Sequence, residues 1–343
     1  MDLRLQLRLR ENQCRVPDLN PQSSPIASSD DPRPVIHVAC AVVQRASGEV
    51  LLTQRPAGKI AAGWWEFPGG KIEPGEPARA ALDRELDEEL GIVSTQARPL
   101  IRFRHAYRDR IVLLDTWLVT AYRGELRARE AQAFVWTRPE ALRDWPRALP
   151  TVAPSVQALL LPEHYVFTPP DATLDRLLDG LGALPPRALL RLRLPALDAD
   201  AYERLARRVL PLAQAAGLRV VLDRDPELAL ALGADGWHAS AAVMRRLGGR
   251  APLAPMRQFV SCHSVEEVRR AGAAGFDAAV LGTVLPSASH PGAAVLGWEG
   301  FAAAAAYAGL PVYAIGGVGP ADLPRVFAAY GQGVAGISAY WPV

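Results

Sequence analysis

The chain has 343 residues, of which 50% are hydrophobic and 22% charged, and a formal net charge of +2. That length is more than one small core organises and predicts two domains, and the composition is globular rather than disordered. So small a net charge argues against a nucleic-acid polymer or a membrane as partner, while a small anion can still be bound by local charges.

Three cysteines, Cys14, Cys40 and Cys262, have no metal-ligand spacing and cannot build a disulfide framework, which fits a reducing compartment. No apolar run reaches the roughly 18 to 20 residues of a membrane span. Met1 to Arg10 alternates Leu with Arg and lacks the apolar stretch of a signal peptide. A cytoplasmic protein is expected.

Residues 1–34 read as a disordered leader, because Glu11 to Pro34 is rich in Pro, Ser, Asn and Asp. Val35–Gln44 and Val50–Gln54 are predicted strands around the turn Ala46-Ser47-Gly48-Glu49. Pro77–Leu90 is a predicted helix, with Pro77 in its first turn, Leu82, Leu86 and Leu90 as an apolar stripe and Gly91 as its stop. Strands follow at Leu100–His105, Ile111–Tyr122 and Ala133–Thr137, then a helix at Val152–Leu161. This mixture predicts an α+β sandwich over residues 35–161.

The decisive stretch is Gly70-Lys71-Ile72-Glu73-Pro74-Gly75-Glu76, followed after seven residues by Arg84-Glu85-Leu86-Asp87-Glu88-Glu89-Leu90-Gly91-Ile92. On a helix, Glu85, Glu88 and Glu89 stand at i, i+3 and i+4 and share one face. Their mutual repulsion becomes binding energy once a hard cation arrives; Mg²⁺ prefers such oxygen ligands, and Mn²⁺ is the alternative ion. A solvated acidic helix is the plain alternative, but it accounts for neither Gly69-Gly70 nor the placement of Glu76 and Arg84.

Every fixed position of G-x5-E-x7-R-E-U-x-E-E-x-G-U, with U aliphatic, is met. With Trp65-Glu66-Phe67-Pro68-Gly69-Gly70-Lys71-Ile72-Glu73 before it, the first domain resembles the Nudix hydrolases of the MutT type, the 8-oxo-dGTP pyrophosphohydrolases. The resemblance implies that Glu85, Glu88 and Glu89 bind metal and that Glu130 is a further metal-associated glutamate. It places Arg55, Gly70 and Lys71 against the phosphates, has Arg84 orient the glutamates through charge-assisted pairs, and has Glu76 support the signature loop. The implied reaction is water attack on a nucleoside triphosphate, 8-oxo-dGTP foremost, releasing a monophosphate and pyrophosphate. Glu85 is the first choice of base and Glu130 the second. The family's base-reading asparagine has no counterpart in Leu149-Pro150-Thr151-Val152-Ala153-Pro154, and polar readers carry much of such discrimination. Trp64, Trp65 and Trp145 are either base-stacking surfaces or core.

From His164 onward short apolar runs alternate with helical stretches. Strands are predicted at Tyr165–Thr168, Leu189–Leu194, Arg219–Leu222, Gly236–His238, Phe259–Ser261, Ala278–Gly282, Val312–Ile315 and Val334–Ser338. Helices such as Ala201–Ala216, Val265–Ala274 and Trp298–Ala308 lie between them, and the alanine run Ala302–Ala306 reads as a close-packed helix. Eight such units predict a (β/α)8 TIM barrel over residues 164–343.

Gly233-Ala234-Asp235-Gly236-Trp237-His238, Ser261-Cys262-His263-Ser264, Leu281-Gly282-Thr283, Ala314-Ile315-Gly316-Gly317-Val318 and Gly336-Ile337-Ser338-Ala339 resemble, in order, the thiamine phosphate synthase family and its thiazole tautomerase relatives. Gly316, Gly317 and Ser338 follow the last two strands, where barrel loops present backbone N–H groups to a phosphate; tight turns are the alternative. The sequence also departs from the family. Leu222-Asp223-Arg224 replaces Asn-Asp-Arg, a second metal-binding aspartate falls at Val243, and two diphosphate-contacting lysines fall at Pro195 and His290, leaving Arg193 nearby. Synthase activity is therefore not expected. His263 matches the tautomerases' proton-transfer histidine, and an imidazole can act as both acid and base on a thiazole-phosphate-like ligand. His238 is expected to be structural.

Three readings stay open. One is a nucleotide-pool hydrolase whose barrel binds a phosphorylated small molecule. Another is a thiamine-pathway enzyme combining diphosphate hydrolysis with thiazole phosphate tautomerisation. The third makes the barrel a ligand sensor without turnover.

Overall fold

The computed structural model describes residues 31–248, 256–287, 292 and 294–341. Nearly all of the expected leader, Cys14 and His290 lie outside the described residues. By compactness the chain divides into two units. One holds the described residues up to Gln96 with His105–Leu113 and Val119–Ala153; the other holds Ala97–Arg104, Leu114–Leu118 and the described residues from Pro154 onward. No helix among the described residues is long and apolar enough to cross a membrane.

The N-terminal elements are β1 (Val35–Val43), β2 (Val50–Gln54), β3 (Trp65–Glu66), β4 (Gly69–Lys71), α1 (Ala78–Leu90), β5 (Ile92–Ala106), β6 (Ile111–Gly124), β7 (Phe134–Thr137) and α2 (Val152–Leu160). They form two sheets, one in the order β4-β1-β6-β5 and the other β3-β2-β7. β1 alternates in burial at its start, but Ala39 to Val43 are all buried, as expected where α1 covers the strand. β3 and β4 were not expected: two- and three-residue strands are too short to show a period-2 pattern. β5 is longer than expected and begins directly after the Gly91 stop of α1.

The second architecture is a closed barrel. Its parallel strands are β8 (His164–Phe167), β9 (Leu189–Leu192), β10 (Arg219–Leu222), β11 (Gly236–Ala239), β12 (Arg257–Cys262), β13 (Ala278–Leu281), β14 (Val312–Ile315) and β15 (Gly333–Gly336), and β15 pairs back onto β8. Helices α3 (Leu174–Gly180), α4 (Ala199–Ala215), α5 (Pro226–Ala231), α6 (Ala241–Arg246), α7 (Val265–Ala274), α8 (Gly297–Ala305) and α9 (Leu323–Ala328) connect them. Alternate strand residues face opposite ways. Tyr165, Phe167, Val221, Phe259, Val280 and Tyr313 fill the interior, while Val166, Leu190, Val220, Val260 and Leu281 join the layer beneath the helices. Tyr165 lies edge-on or tilted against Phe167, Phe259 and Tyr313, with ring centroids 5.1, 5.2 and 5.4 Å away. Ala304 and Ala305 of the alanine run are buried in α8.

Candidate active site

The helix α1 separates two chemistries. Ala81, Leu82, Leu86 and Leu90 are wholly buried on one face. Glu85 and Glu89 are half-buried on the other, and Glu88 is exposed. Gly91 ends the helix in the left-handed region (φ 70°), where its N–H bonds the Asp87 carbonyl. The buried face lies against β1 and β4, and β4 is the strand that carries Gly69 and Gly70.

Gly70 has a steric reason. A Cβ there would fall 2.3 Å from the Glu85 carboxyl group, so only glycine lets that carboxylate rest on the strand. The Gly69 N–H donates to Glu89 at 3.3 Å. Arg84 ties the face together. Its Nε and Nη2 bond the two oxygens of Glu76 at 3.0 Å, Nη2 also reaches the Lys71 carbonyl at 2.9 Å, and Nη1 reaches Glu85 at 2.8 Å and Glu88 at 3.3 Å. These pairs raise the Arg84 guanidinium above its ordinary range and hold Glu76 below the usual carboxylate range. The Lys71 side chain is exposed and, with His37, Glu73 and Glu76, lines a cleft of about 450 Å³.

Glu130 belongs to no helix or strand. Its segment is docked on the end of α1: the Arg129 N–H and the Gln132 side-chain amide both donate to the Glu89 carbonyl, at 2.9 and 3.0 Å. Gln132 also accepts from the Glu130 N–H at 3.0 Å. The Glu130 carboxylate pairs with Lys59 at 2.5 Å. Arg55 is engaged by its own neighbours. Its Nη1 bonds both oxygens of Glu66 at 2.6 and 2.7 Å, and its Nε bonds the Ile60 carbonyl at 2.6 Å.

The electrostatics converge on Glu89. Its carboxyl is pushed up to about 7, first by burial, then by the negative charges of Glu66 and Glu130 and, more weakly, of Glu85. Glu66 is raised too, by burial against the opposing charge of Arg55. Among the described residues no three His, Cys, Asp or Glu side chains are already gathered as a metal-ligand group; Glu85, Glu89 and Glu130 each rest on a neighbour. The donor set nevertheless suits a hard divalent cation: all-oxygen ligands, mutual repulsion that a cation relieves, and a glycine cradle beneath one carboxylate. Glu66, Lys59 and Gln132 receive no site role from the sequence alone, because each acts through a tertiary contact that spacing does not encode.

Trp65 and Trp145 meet edge-on at 6.0 Å. In the stretch where the base-reading asparagine was missing, Thr151 is buried and its hydroxyl is hydrogen-bonded to Tyr107.

In the barrel, His263 is exposed just past β12. Its N–H donates to Glu267 at 2.8 Å and its Nδ1 lies 3.3 Å from the Gly282 carbonyl. Gly316 and Gly317 follow β14 with φ of 92° and 65°. A Cβ on Gly316 would meet Thr283, and one on Gly317 would come within 2.7 Å of the Leu285 and Pro286 carbonyls, so both let the loop after β13 pack closely. Ser338 is exposed. Arg191 is buried inside the barrel, where its Nη2 and Nε donate to one oxygen of Asp223 at 3.0 and 3.2 Å, while the Tyr202 hydroxyl lies 3.3 Å from the other. His238 is fully buried, with the Tyr165 hydroxyl on Nδ1 and the Ser261 hydroxyl on Nε2, each at 2.8 Å.

The NUDIX domain family profile matches residues 39–153, and the thiamine monophosphate synthase profile matches residues 165–340. The chain is a Nudix domain joined to a barrel of the thiamine monophosphate synthase family. The Nudix half is 43% identical over 126 residues to a CTP pyrophosphohydrolase of Escherichia coli, covering 37% of this chain and 92% of the relative. It is 40% identical over 108 residues to an 8-oxo-dGTP diphosphatase of Haemophilus influenzae, covering 32% and 79%. The barrel is 35% identical over 156 residues to a putative thiamine-phosphate synthase of Geobacter sulfurreducens, covering 44% and 71%.

Within the synthase-type barrel, the family's metal–diphosphate centre does not fit. Asp223 is committed to Arg191, and Val243, half-buried in α6 against the core, offers no carboxylate. His238 is held well below its ordinary pKa, by burial first and then by the charges of Arg191 and Arg193. The unfolded chain takes up a proton at His238 near pH 6.5 and the folded chain does not, so stability is complete above that pH and lost as pH falls through it. The expected slope is about 1.4 kcal/mol per pH unit. Urea unfolding between pH 7 and pH 5 measures it; a His238→Gln variant that keeps the full slope rules out this origin.

Proposed function

We propose that the Nudix half is a Mg²⁺-dependent nucleoside triphosphate pyrophosphohydrolase that takes 8-oxo-dGTP to 8-oxo-dGMP and pyrophosphate. The observation carrying this reading is the carboxylate face of α1: three glutamates on one rigid element, with Glu89 lifted toward neutrality by its surroundings. Glu85, Glu88, Glu89 and Glu130 would hold the ion, Mn²⁺ being an effective substitute. When bound, it supplies charge neutralisation and Lewis acidity at the phosphates. Glu85 accepts the proton of the attacking water, with Glu130 as the second choice. Arg84 holds Glu85 and Glu88 in register from its anchor on Glu76, and Gly70 keeps the floor low enough for Glu85 to reach. Arg55, Gly70 and Lys71 line the approach of the phosphates.

A second substrate reading is CTP. Two observations favour it: the 43% identity to a CTP pyrophosphohydrolase, and the lack of a guanine-reading asparagine in residues 149–154, where Thr151 is instead bonded to Tyr107. Steady-state kcat/KM for 8-oxo-dGTP, dGTP, CTP and dCTP with Mg²⁺ decides between them. Equal, slow turnover of unrelated diphosphates would overturn both.

For the barrel, the commitment of Asp223 to Arg191 supports a binding role without synthase chemistry. The ligand class is a small phosphate ester of the thiazole-phosphate kind, approaching Gly316, Gly317 and Ser338. Tautomerase chemistry is the second reading, favoured by the exposed ring of His263. Calorimetry with phosphate esters should register binding; rescue of a thiazole-requiring strain, lost on His263→Ala, would establish turnover instead. A cytoplasmic location completes the proposal.

A further inference from the structure

Arg84, Arg55 and Lys59 each pair with a carboxylate of the site, and they differ in how firmly they are engaged. Arg84 is spent on three glutamates and a carbonyl. Arg55 is spent on both oxygens of Glu66 and on the Ile60 carbonyl. Among the described residues the Lys59 ammonium has one hydrogen-bonded partner, Glu130 at 2.5 Å, and both members are exposed, at 47% and 39%. Its charge also acts on Glu66, so the ammonium stands within reach of the same acidic cluster that surrounds Glu89.

The loop carrying Lys59 is closed at its base and open at its tip. Gly63 donates to the Arg55 carbonyl at 2.9 Å, and the Gln54 side chain donates to the Gly63 carbonyl at 3.0 Å. Gly58 and Gly63, at φ of 89° and 80°, flank the tip. Lys59 is thus presented on a short turn with a rooted stem, while its side-chain partner, Glu130, is a carboxylate that a metal ion would also claim.

We propose that Lys59 is a phosphate-binding residue held in reserve on Glu130. The proposal rests on reading Glu130 as part of the metal site. Two cations cannot both neutralise that carboxylate, and an exposed ion pair is worth little, so the incoming ion displaces the ammonium at small cost. A lysine on a flexible stem then faces the polyphosphate as a compact point charge. Lys59 therefore opposes metal binding at the metal-free site and favours nucleotide binding at the metal-loaded one.

The two effects have opposite signs, which a purely structural loop residue would not produce. In Lys59→Met the KM for the nucleoside triphosphate at saturating Mg²⁺ should rise about tenfold or more, the worth of a lost charge-assisted hydrogen bond, with the change falling on KM rather than kcat. Mn²⁺ binding to the nucleotide-free full chain, followed by electron paramagnetic resonance, should tighten about twofold to fivefold, the reciprocal of releasing an exposed pair. Lys59→Arg should restore KM. Wild-type protein that neither binds Mn²⁺ nor hydrolyses a nucleotide would sink the functional reading itself. An active wild type whose Lys59→Met variant shows unchanged KM, or weaker Mn²⁺ binding, would sink only the role of Lys59.

Discussion

Glu89→Gln is expected to lower kcat for nucleotide hydrolysis by on the order of 10³-fold while raising the melting temperature of the metal-free protein. The first effect follows from removing a central anionic ligand from an ion asked to supply several kcal/mol at the reacting phosphate. The second follows from the folded state itself. Glu89 is pushed up to about 7 because burial and the charges of Glu66, Glu130 and Glu85 all disfavour its anion. A neutral amide of the same shape keeps an oxygen for the Gly69 N–H and removes that repulsion. Activity and stability are thus set against each other at one atom, as at many functional sites. Calorimetric melting without metal and single-turnover rates with Mg²⁺ test the pair. A variant less stable than wild type would show that Glu89 is a structural anion, and retained turnover would remove it from the metal site.

The other large effect belongs to the barrel. Asp223→Asn is expected to destabilise the protein by about 3–5 kcal/mol, because it strands the Arg191 charge in the barrel interior. The two side chains are only 9% and 11% exposed, and burial already works against the Arg191 charge. Arg191→Met alone strands the aspartate in the same way. The double variant Arg191→Met, Asp223→Leu should recover most of the loss, since apolar replacements of a buried pair are often neutral or better. Denaturant unfolding of Arg191→Met, Asp223→Leu and the double variant beside the wild type closes a double-mutant cycle; additive losses would mean that the two side chains do not depend on one another.

The two architectures were legible for different reasons. The acidic helix announces itself through carboxylate spacing, a leucine stripe and a glycine stop, all local in sequence. The barrel shows in the alternation of short apolar runs with helical stretches. Contacts made by folding alone were not legible. Glu130 could be singled out only by family resemblance, because its place depends on Gln132 and Arg129 capping the helix that carries Glu89. The Lys59–Glu130 and Arg55–Glu66 pairs join residues 71 and 11 positions apart and leave no periodic trace. Arg191 was different, since a signal existed. Counting alternate positions along β9 from the interior Leu189 puts Arg191 inside the barrel, and an inward charge in a strand calls for a partner such as Asp223.

The aromatic filling of the barrel bears on traffic. Tyr165, Phe167, Phe259 and Tyr313 crowd the axis, and the Tyr313 hydroxyl is fastened to the Pro162 carbonyl at 2.7 Å. That filling closes the axis to through-passage. A phosphate ester of the proposed kind, if bound at the loops after β14 and β15, would have to leave on the side it entered, so two such ligands are expected to exclude each other in simple competition.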